Sequence, residues 1–330
     1  MLVSWNTTNQ CNMFCDHCYR DAGAKANDEL TTAEARKLIE EIKQAGFQIM
    51  IFSGGEPLLR PDIYELGAYA RQQGLRAVLG TNGSLITPAV ASKLKEAGFM
   101  AAGVSLDSLE PAKNDAFRKL ENASALTITG MNNLKAAGLP FQIHTTVMDW
   151  NVDELEDITD FAVEIGAMAH HVFFLVPTGR GANIEEEALR VVDYEKTIAR
   201  LMDKQKQVKI EIKPTCAPQF IRVADKKGLS TRFTKGCLAG ISYCIISPQG
   251  NVQPCAYINM QLGNVRDIPF DKIWADNPVF NELRGMQYDG KCGICDYKER
   301  CGGCRARANY YNGSIMAEDS WCLYQPCKEV

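Results

Sequence analysis

Cys11-Asn12-Met13-Phe14-Cys15-Asp16-His17-Cys18-Tyr19 sets three cysteines at Cys-x3-Cys-x2-Cys spacing near the start of a 330-residue chain. Three thiolates are one short of the four that usually hold a four-iron cluster, so one iron keeps an open position for a substrate or cofactor. A zinc site completed by His17 is the structural alternative, because structural zinc takes four Cys or His ligands. What surrounds the stretch decides between them.

Upstream, Met1 to Asn6 reads as a short strand, with no signal peptide expected ahead of it. Downstream, Thr31-Thr32-Ala33-Glu34 is a capping box that opens a helix, and Gly46 ends it. Phe47 to Phe52 is an apolar run of strand length, as in a buried parallel strand. The unit then repeats: helices open at Pro61, Thr87-Pro88 and Asn151 and stop at glycines, with strands at Arg76 to Leu79, Phe99 to Leu106, Phe141 to Val147 and Val172 to Val176. Six strands alternating with helices predict one parallel sheet with the helices outside. Periodicity alone leaves open a doubly wound sheet or a barrel of six βα units, two short of the eight-unit barrel.

Composition fits an ordinary globular chain, with 46% hydrophobic and 23% charged residues and a net charge of -4. No block of like charge suggests a nucleic-acid groove, and no apolar run is of membrane-spanning length, so neither nucleic acid nor membrane is an expected partner. Thirteen cysteines are many. In the cytoplasm, the expected location, they read as metal ligands rather than disulfides. Three lie in the first 18 residues and ten at or beyond Cys216, so a cysteine-free scaffold carries one site at its start and a cysteine-rich module at its end.

Ser53-Gly54-Gly55-Glu56-Pro57 follows the second strand directly, where ligand loops of α/β folds cluster. Together with the three-cysteine stretch it resembles the radical S-adenosylmethionine (radical SAM) superfamily, whose open iron is chelated by the amino and carboxylate groups of SAM. The resemblance implies a partial (βα)6 TIM-like barrel, a 4Fe-4S cluster on Cys11, Cys15 and Cys18, and cleavage of SAM to a 5'-deoxyadenosyl radical. It implies SAM contacts from Tyr19, Gly54, Gly55 and Glu56, from Asn82 and Ser105 after the next two strands, and from Arg118. It also implies an electron donor such as flavodoxin or ferredoxin.

Later in the chain come Cys237-x12-Gly250-x4-Cys255, then Cys292-x2-Cys295-x5-Cys301-x2-Cys304, then Cys322. A zinc ribbon usually separates its Cys pairs by ~15 to 20 residues, against five here. The order resembles the SPASM extension of radical SAM enzymes, a cysteine-rich iron-sulfur domain with one or two auxiliary 4Fe-4S clusters. The resemblance assigns Cys237, Cys255 and Cys304, with Cys244 as fourth ligand, to one cluster and Cys292, Cys295, Cys301 and Cys322 to the other. The last pair usually reads Cys-x3-Cys, which puts this division in question. Cys216 and Cys327 fall outside the motif. Two domains are expected, residues 1–212 and 213–330.

The opening Val3 to Thr8, Pro177-Thr178-Gly179-Arg180-Gly181, Pro214 to Gln219 and Cys301 to Ala308 resemble the tetrapyrrole-modifying branch of the superfamily. That implies a tetrapyrrole substrate and, in haem biosynthesis, oxidative decarboxylation of two propionates of Fe-coproporphyrin III to vinyls. Deacetylation of didecarboxysiroheme, haem d1 maturation and peptide maturation are the rival activities, and an electron-transfer or cluster-carrier protein is the non-enzymatic one. Arg180, Arg305 and Arg307 are expected to pair with propionates, Arg180 as the catalytic-site residue, with Phe173 and Phe174 as an apolar wall. His144, His170 and His171 are expected to be hydrogen-bonded structural residues.

Overall fold

A computed structural model describes residues 1–326; Cys327 lies outside them. Seven parallel strands, β1 (Leu2–Asn6), β2 (Ile49–Ser53), β3 (Arg76–Thr81), β4 (Ala101–Ser105), β5 (Phe141–Val147), β6 (Ala169–Phe174) and β7 (Glu211–Thr215), lie side by side in chain order. Beyond β1 the sheet continues with β8 (Tyr243–Ile246), parallel to β1, and β9 (Val252–Gln253), antiparallel to β8. β7 and β9 are its two edges, so the barrel stays open.

Crossover helices α1 (Thr32–Gln44), α2 (Ile63–Gln72), α3 (Pro88–Glu96), α4 (Pro111–Arg118), α5 (Ala123–Ala136), α6 (Leu155–Ile165) and α7 (Val191–Gln205) connect the strands. In α1 the apolar residues Ala35, Leu38, Ile39 and Ile42 recur at helical spacing and are all buried, and the Thr31–Glu34 capping box is formed. Strand β5 shows what the alternation does here. Phe141, Ile143, Thr145 and Val147 are buried on one face, while Gln142, His144 and Thr146 are only partly covered. The latter three line a cavity, so the strands are apolar toward the helices and polar toward the inside.

Two expectations need correction. The sheet has a seventh parallel strand where six were read, because Pro214 inside Glu211 to Thr215 argues against a strand; β7 tolerates it as an edge strand. The division at residue 212 falls inside that strand. The two halves also share a core: Phe47, ahead of β2, has Phe270 and Trp274 at 5.4 and 4.9 Å between ring centroids, and Phe270 N donates to Glu41 Oε2 at 2.8 Å. Among the described residues no helix is long and apolar enough to cross a membrane.

Candidate active site and cluster-binding cysteines

A cavity of about 460 Å³ occupies the inside of the open barrel. Cys11, Cys15 and Cys18 line it together with the Gly54-Gly55 turn, and Cys216, Cys237, Cys255 and Cys304 line it too. Among the described residues no Asp or Glu lines it.

The loop carrying the first three cysteines is held from the segment that follows β6. Arg180 donates from Nε to Cys15 O at 2.9 Å, from Nη1 to Ala22 O at 2.7 Å and to Asp21 Oδ1 at 2.8 Å, and its backbone N donates to Cys18 O at 2.9 Å. Its guanidinium lies 3.7 Å from the Phe14 ring centroid. Gly179 allows this approach, since a Cβ there would sit 2.5 Å from Cys18 O. Arg180 therefore clamps the cysteine loop, in place of the free propionate partner expected of it. Met13 N donates to Cys11 Sγ at 3.4 Å, and burial pushes that thiol up to about 11. Such a thiol ionises when a cation arrives, which suits iron.

Gly54, at φ +144°, and Gly55 bring β2's end against the segment between β1 and the cysteines: a Cβ would lie 2.5 Å from Thr8 O at Gly54 and 2.3 Å from Gln10 O at Gly55. Glu56 turns away from the cavity. Its carboxylate is fully buried and accepts from Thr81 Oγ1 at 2.9 Å, Asn82 N at 2.9 Å and Leu58 N at 3.2 Å, and burial raises it to about 7. It ties the ends of β2 and β3 together, so the glycines of the turn, and not this carboxylate, line the cavity. Asn82 and Ser105 line the cavity, as does the ring of Tyr19, whose hydroxyl donates to Asn6 Oδ1 at 3.0 Å. Arg118 Nη2 pairs with Asp107 Oδ2 at 2.5 Å, leaving Nε buried without a partner among the described residues. An unpaired guanidinium nitrogen at the cavity wall fits an arriving carboxylate such as that of SAM's methionine.

The carboxyl-terminal cysteines fall into two groups. Cys292, Cys295, Cys301 and Cys322 line a small separate pocket, which is the expected second set. The first set differs in its fourth member. Cys244 sits in β8 opposite Val3, fully buried in the apolar core, whereas Cys216 lines the cavity with Cys237, Cys255 and Cys304. Cys216 has φ +58°, a conformation L residues rarely adopt, and its carbonyl accepts from Arg307 Nη2 at 2.9 Å. The Cys-x2-Cys departure is accommodated by Gly302 and Gly303, both left-handed at φ +72° and +61°, which turn Cys301 and Cys304 toward different groups. Among the described residues no three Cys, His, Asp or Glu close on a single metal ion. The fit to clusters lies in donor type: three and four thiols on two walls of the large cavity and four around the small pocket.

Arg305 and Arg307 are both fully buried and correct the expectation of propionate partners. Arg305 donates to Ile315 O and Ala317 O at 2.9 and 2.7 Å. Arg307 meets Asp319 Oδ2 at 3.3 Å, and the same oxygen accepts from Cys304 N and Gln219 Nε2, each at 2.8 Å. Sequence alone gave Asp319 no signal, yet it joins both halves of the module. His170 behaves as expected, with Thr159 Oγ1 at 2.8 Å and Thr145 Oγ1 at 3.0 Å. His144, His171, Phe173 and Phe174 line the cavity, and Phe174 also packs on Tyr194 at 4.9 Å.

Residues 5–162 match the radical SAM superfamily and residues 237–305 match SPASM, an iron-sulfur cluster-binding domain. An AdoMet-dependent heme synthase of Methanosarcina barkeri is 42% identical over 99% of this chain and 97% of that protein. A Fe-coproporphyrin III synthase of the same organism is 30% identical over 97% and 87%. Among solved structures, Streptococcus suis SuiB bound to S-adenosylmethionine superposes with a TM-score of 0.78 at 17% identity, covering 98% of this chain and 77% of that one, a likeness of fold. With the three-cysteine loop, the glycine turn and the auxiliary cysteines gathered about one barrel, the chain belongs to the radical SAM enzymes with a SPASM domain, in the family of the AdoMet-dependent haem synthases.

Proposed function

We propose that this enzyme converts two propionates of Fe-coproporphyrin III to vinyl groups, giving haem b. The observation that carries the reading is the shared cavity, with Cys11, Cys15 and Cys18 on one wall and Cys216, Cys237, Cys255 and Cys304 on another. When bound, the first cluster and SAM supply a 5'-deoxyadenosyl radical that takes a hydrogen atom from a propionate β-carbon. Loss of carbon dioxide and one electron would then leave the vinyl group, and Cys216, Cys237, Cys255 and Cys304 would hold an auxiliary cluster that supplies an acceptor for that electron.

The chain's own residues hold this arrangement. Arg180 fixes the cysteine loop, Gly54 and Gly55 expose backbone to SAM, and Arg118 offers its free Nε to SAM's carboxylate. A wall without Asp or Glu avoids repulsion of a polycarboxylate substrate. The reading includes an external one-electron donor such as flavodoxin or ferredoxin and a cytoplasmic setting, where thiols stay reduced. Anaerobic incubation of reconstituted protein with SAM, reductant and Fe-coproporphyrin III should give the monovinyl and then the divinyl product by mass. Turnover of didecarboxysiroheme with Fe-coproporphyrin III untouched would make it a deacetylase instead.

A further inference from the structure

Ser105, His144, His171 and Lys213 stand in one register row across β4, β5, β6 and β7. All four line the cavity. The next inward row toward the strands' carboxyl ends is Thr146, Phe173 and Thr215, with the Phe173 ring 5.1 Å from that of His144. The Gly54-Gly55 turn belongs to β2, so the row occupies the other half of the sheet from the SAM-facing turn.

Two polar atoms of this row lack a hydrogen-bond partner among the described residues. His144 Nε2 and His171 Nε2 are buried without a hydrogen bond, and Glu211 Oε1 is 3.7 Å from the latter, beyond hydrogen-bond range. Lys213 Nζ lies 4.1 Å from the Phe233 ring centroid and makes no hydrogen bond among the described residues. The two imidazoles stack at 5.3 Å with planes 5° apart. Gly103 makes room for them, since a Cβ there would lie 2.4 Å from His144 Cε1. Leaving buried imidazole nitrogens unpaired is costly, so a fold that keeps two of them together beside the Lys213 ammonium around a cavity implies a ligand that pairs them.

We propose that Ser105, His144, His171 and Lys213 form a carboxylate-binding subsite that takes a propionate arm of the tetrapyrrole; this rests on the haem-synthase reading above. A carboxylate only accepts, and here it meets an ammonium, a hydroxyl and two imidazole nitrogens able to donate. Burial lowers the pKa of Lys213, and an anion beside it offsets that effect. Arg180, Arg305 and Arg307 are committed elsewhere and Arg118 pairs with Asp107, which leaves Lys213 as the uncommitted cation among the lining residues. The Phe173 ring supplies an apolar surface against which the macrocycle edge rests while the arm reaches inward.

Anaerobically reconstituted holoenzyme is titrated with Fe-coproporphyrin III and with its tetramethyl ester, followed by Soret absorbance. Lys213→Met should weaken binding of the tetra-acid about tenfold or more and leave the ester unchanged, as expected for a charge-assisted contact. Lys213→Arg should stay within about threefold of wild type, and His144→Gln should lose about threefold on the acid alone. Iron content equal to wild type confirms that each variant folds. Equal affinity of wild type and Lys213→Met for the tetra-acid overturns the subsite while the haem-synthase reading stands. So does a parallel loss on acid and ester, which an imidazole bound to the porphyrin iron or a collapsed cavity would give. A wild type that does not bind Fe-coproporphyrin III overturns the haem-synthase reading. The same variants against didecarboxysiroheme, also a polycarboxylate, then decide the subsite: selective loss in Lys213→Met sustains it and unchanged affinity sinks it.

Discussion

Cys216 and Cys244 are both cysteines of the carboxyl-terminal half, and their surroundings give them opposite roles. Cys216→Ser is expected to cost one cluster, on the order of four iron atoms per chain, while Cys244→Ala keeps full iron and loses ~1 kcal/mol of packing. Iron analysis with thermal melts checks both; full iron in Cys216→Ser would return the ligand role to Cys244. Arg180→Ala should lower uncoupled SAM cleavage along with the full reaction, because the clamp holds the cluster loop itself. Uncoupled cleavage at the wild-type rate would restore Arg180 as a substrate contact. His170 gives a pH signature. Burial lowers its pKa from 6.5 to about 3, so below pH 6.5 the unfolded chain binds a proton that the folded chain refuses, and stability falls as pH falls. For this group the slope approaches ~1.4 kcal/mol per pH unit, and His170→Gln should remove that share of the pH dependence in urea unfolding. An unchanged slope in the variant counts against it.

At the scale of elements, the turn after β2 is what brings the cysteine loop within reach of a ligand. The added Cβ of Gly55→Ala would meet Gln10 O at 2.3 Å, so the two segments must part. A loss of ~2 kcal/mol and a SAM affinity at least about tenfold weaker are expected from calorimetry of the reconstituted protein. Wild-type SAM affinity would show that the turn does not position the ligand. The same logic explains Glu56, which keeps the ends of β2 and β3 in register through Thr81 and Asn82. A carboxylate in a ligand loop invites a ligand role; three protein donors around it leave it a structural one.

The whole molecule does not divide where its cysteines do. β8 covers the open edge of β1, and Phe270 and Trp274 fill the core beside Phe47. Ending the chain after Lys235 should therefore expose a strand edge and remove two large buried side chains, each worth about 2 kcal/mol or more, from a fold of about 5–15 kcal/mol in all. Far-ultraviolet circular dichroism and solubility test this; a soluble fragment melting like the full chain would show that the amino-terminal part folds alone.

The local patterns were legible in the amino-acid sequence because they act over short separations. The Cys-x3-Cys-x2-Cys spacing, the Gly-Gly turn, the Thr31–Glu34 cap and the alternation of strand and helix each need only near neighbours. The grouping of Cys292, Cys295, Cys301 and Cys322 followed a spaced motif in the same way. Tertiary structure decided what depends on side chains far apart in the chain. Cys216 rather than Cys244 faces the cavity because β8 carries Cys244 into the core, and Arg307 and Asp319 arise more than ninety residues after the cysteine they help position. Arginines near motifs looked available until burial gave them carbonyl and carboxylate partners. The row from Ser105 to Lys213 draws on four strands, and parallel register alone places its members side by side.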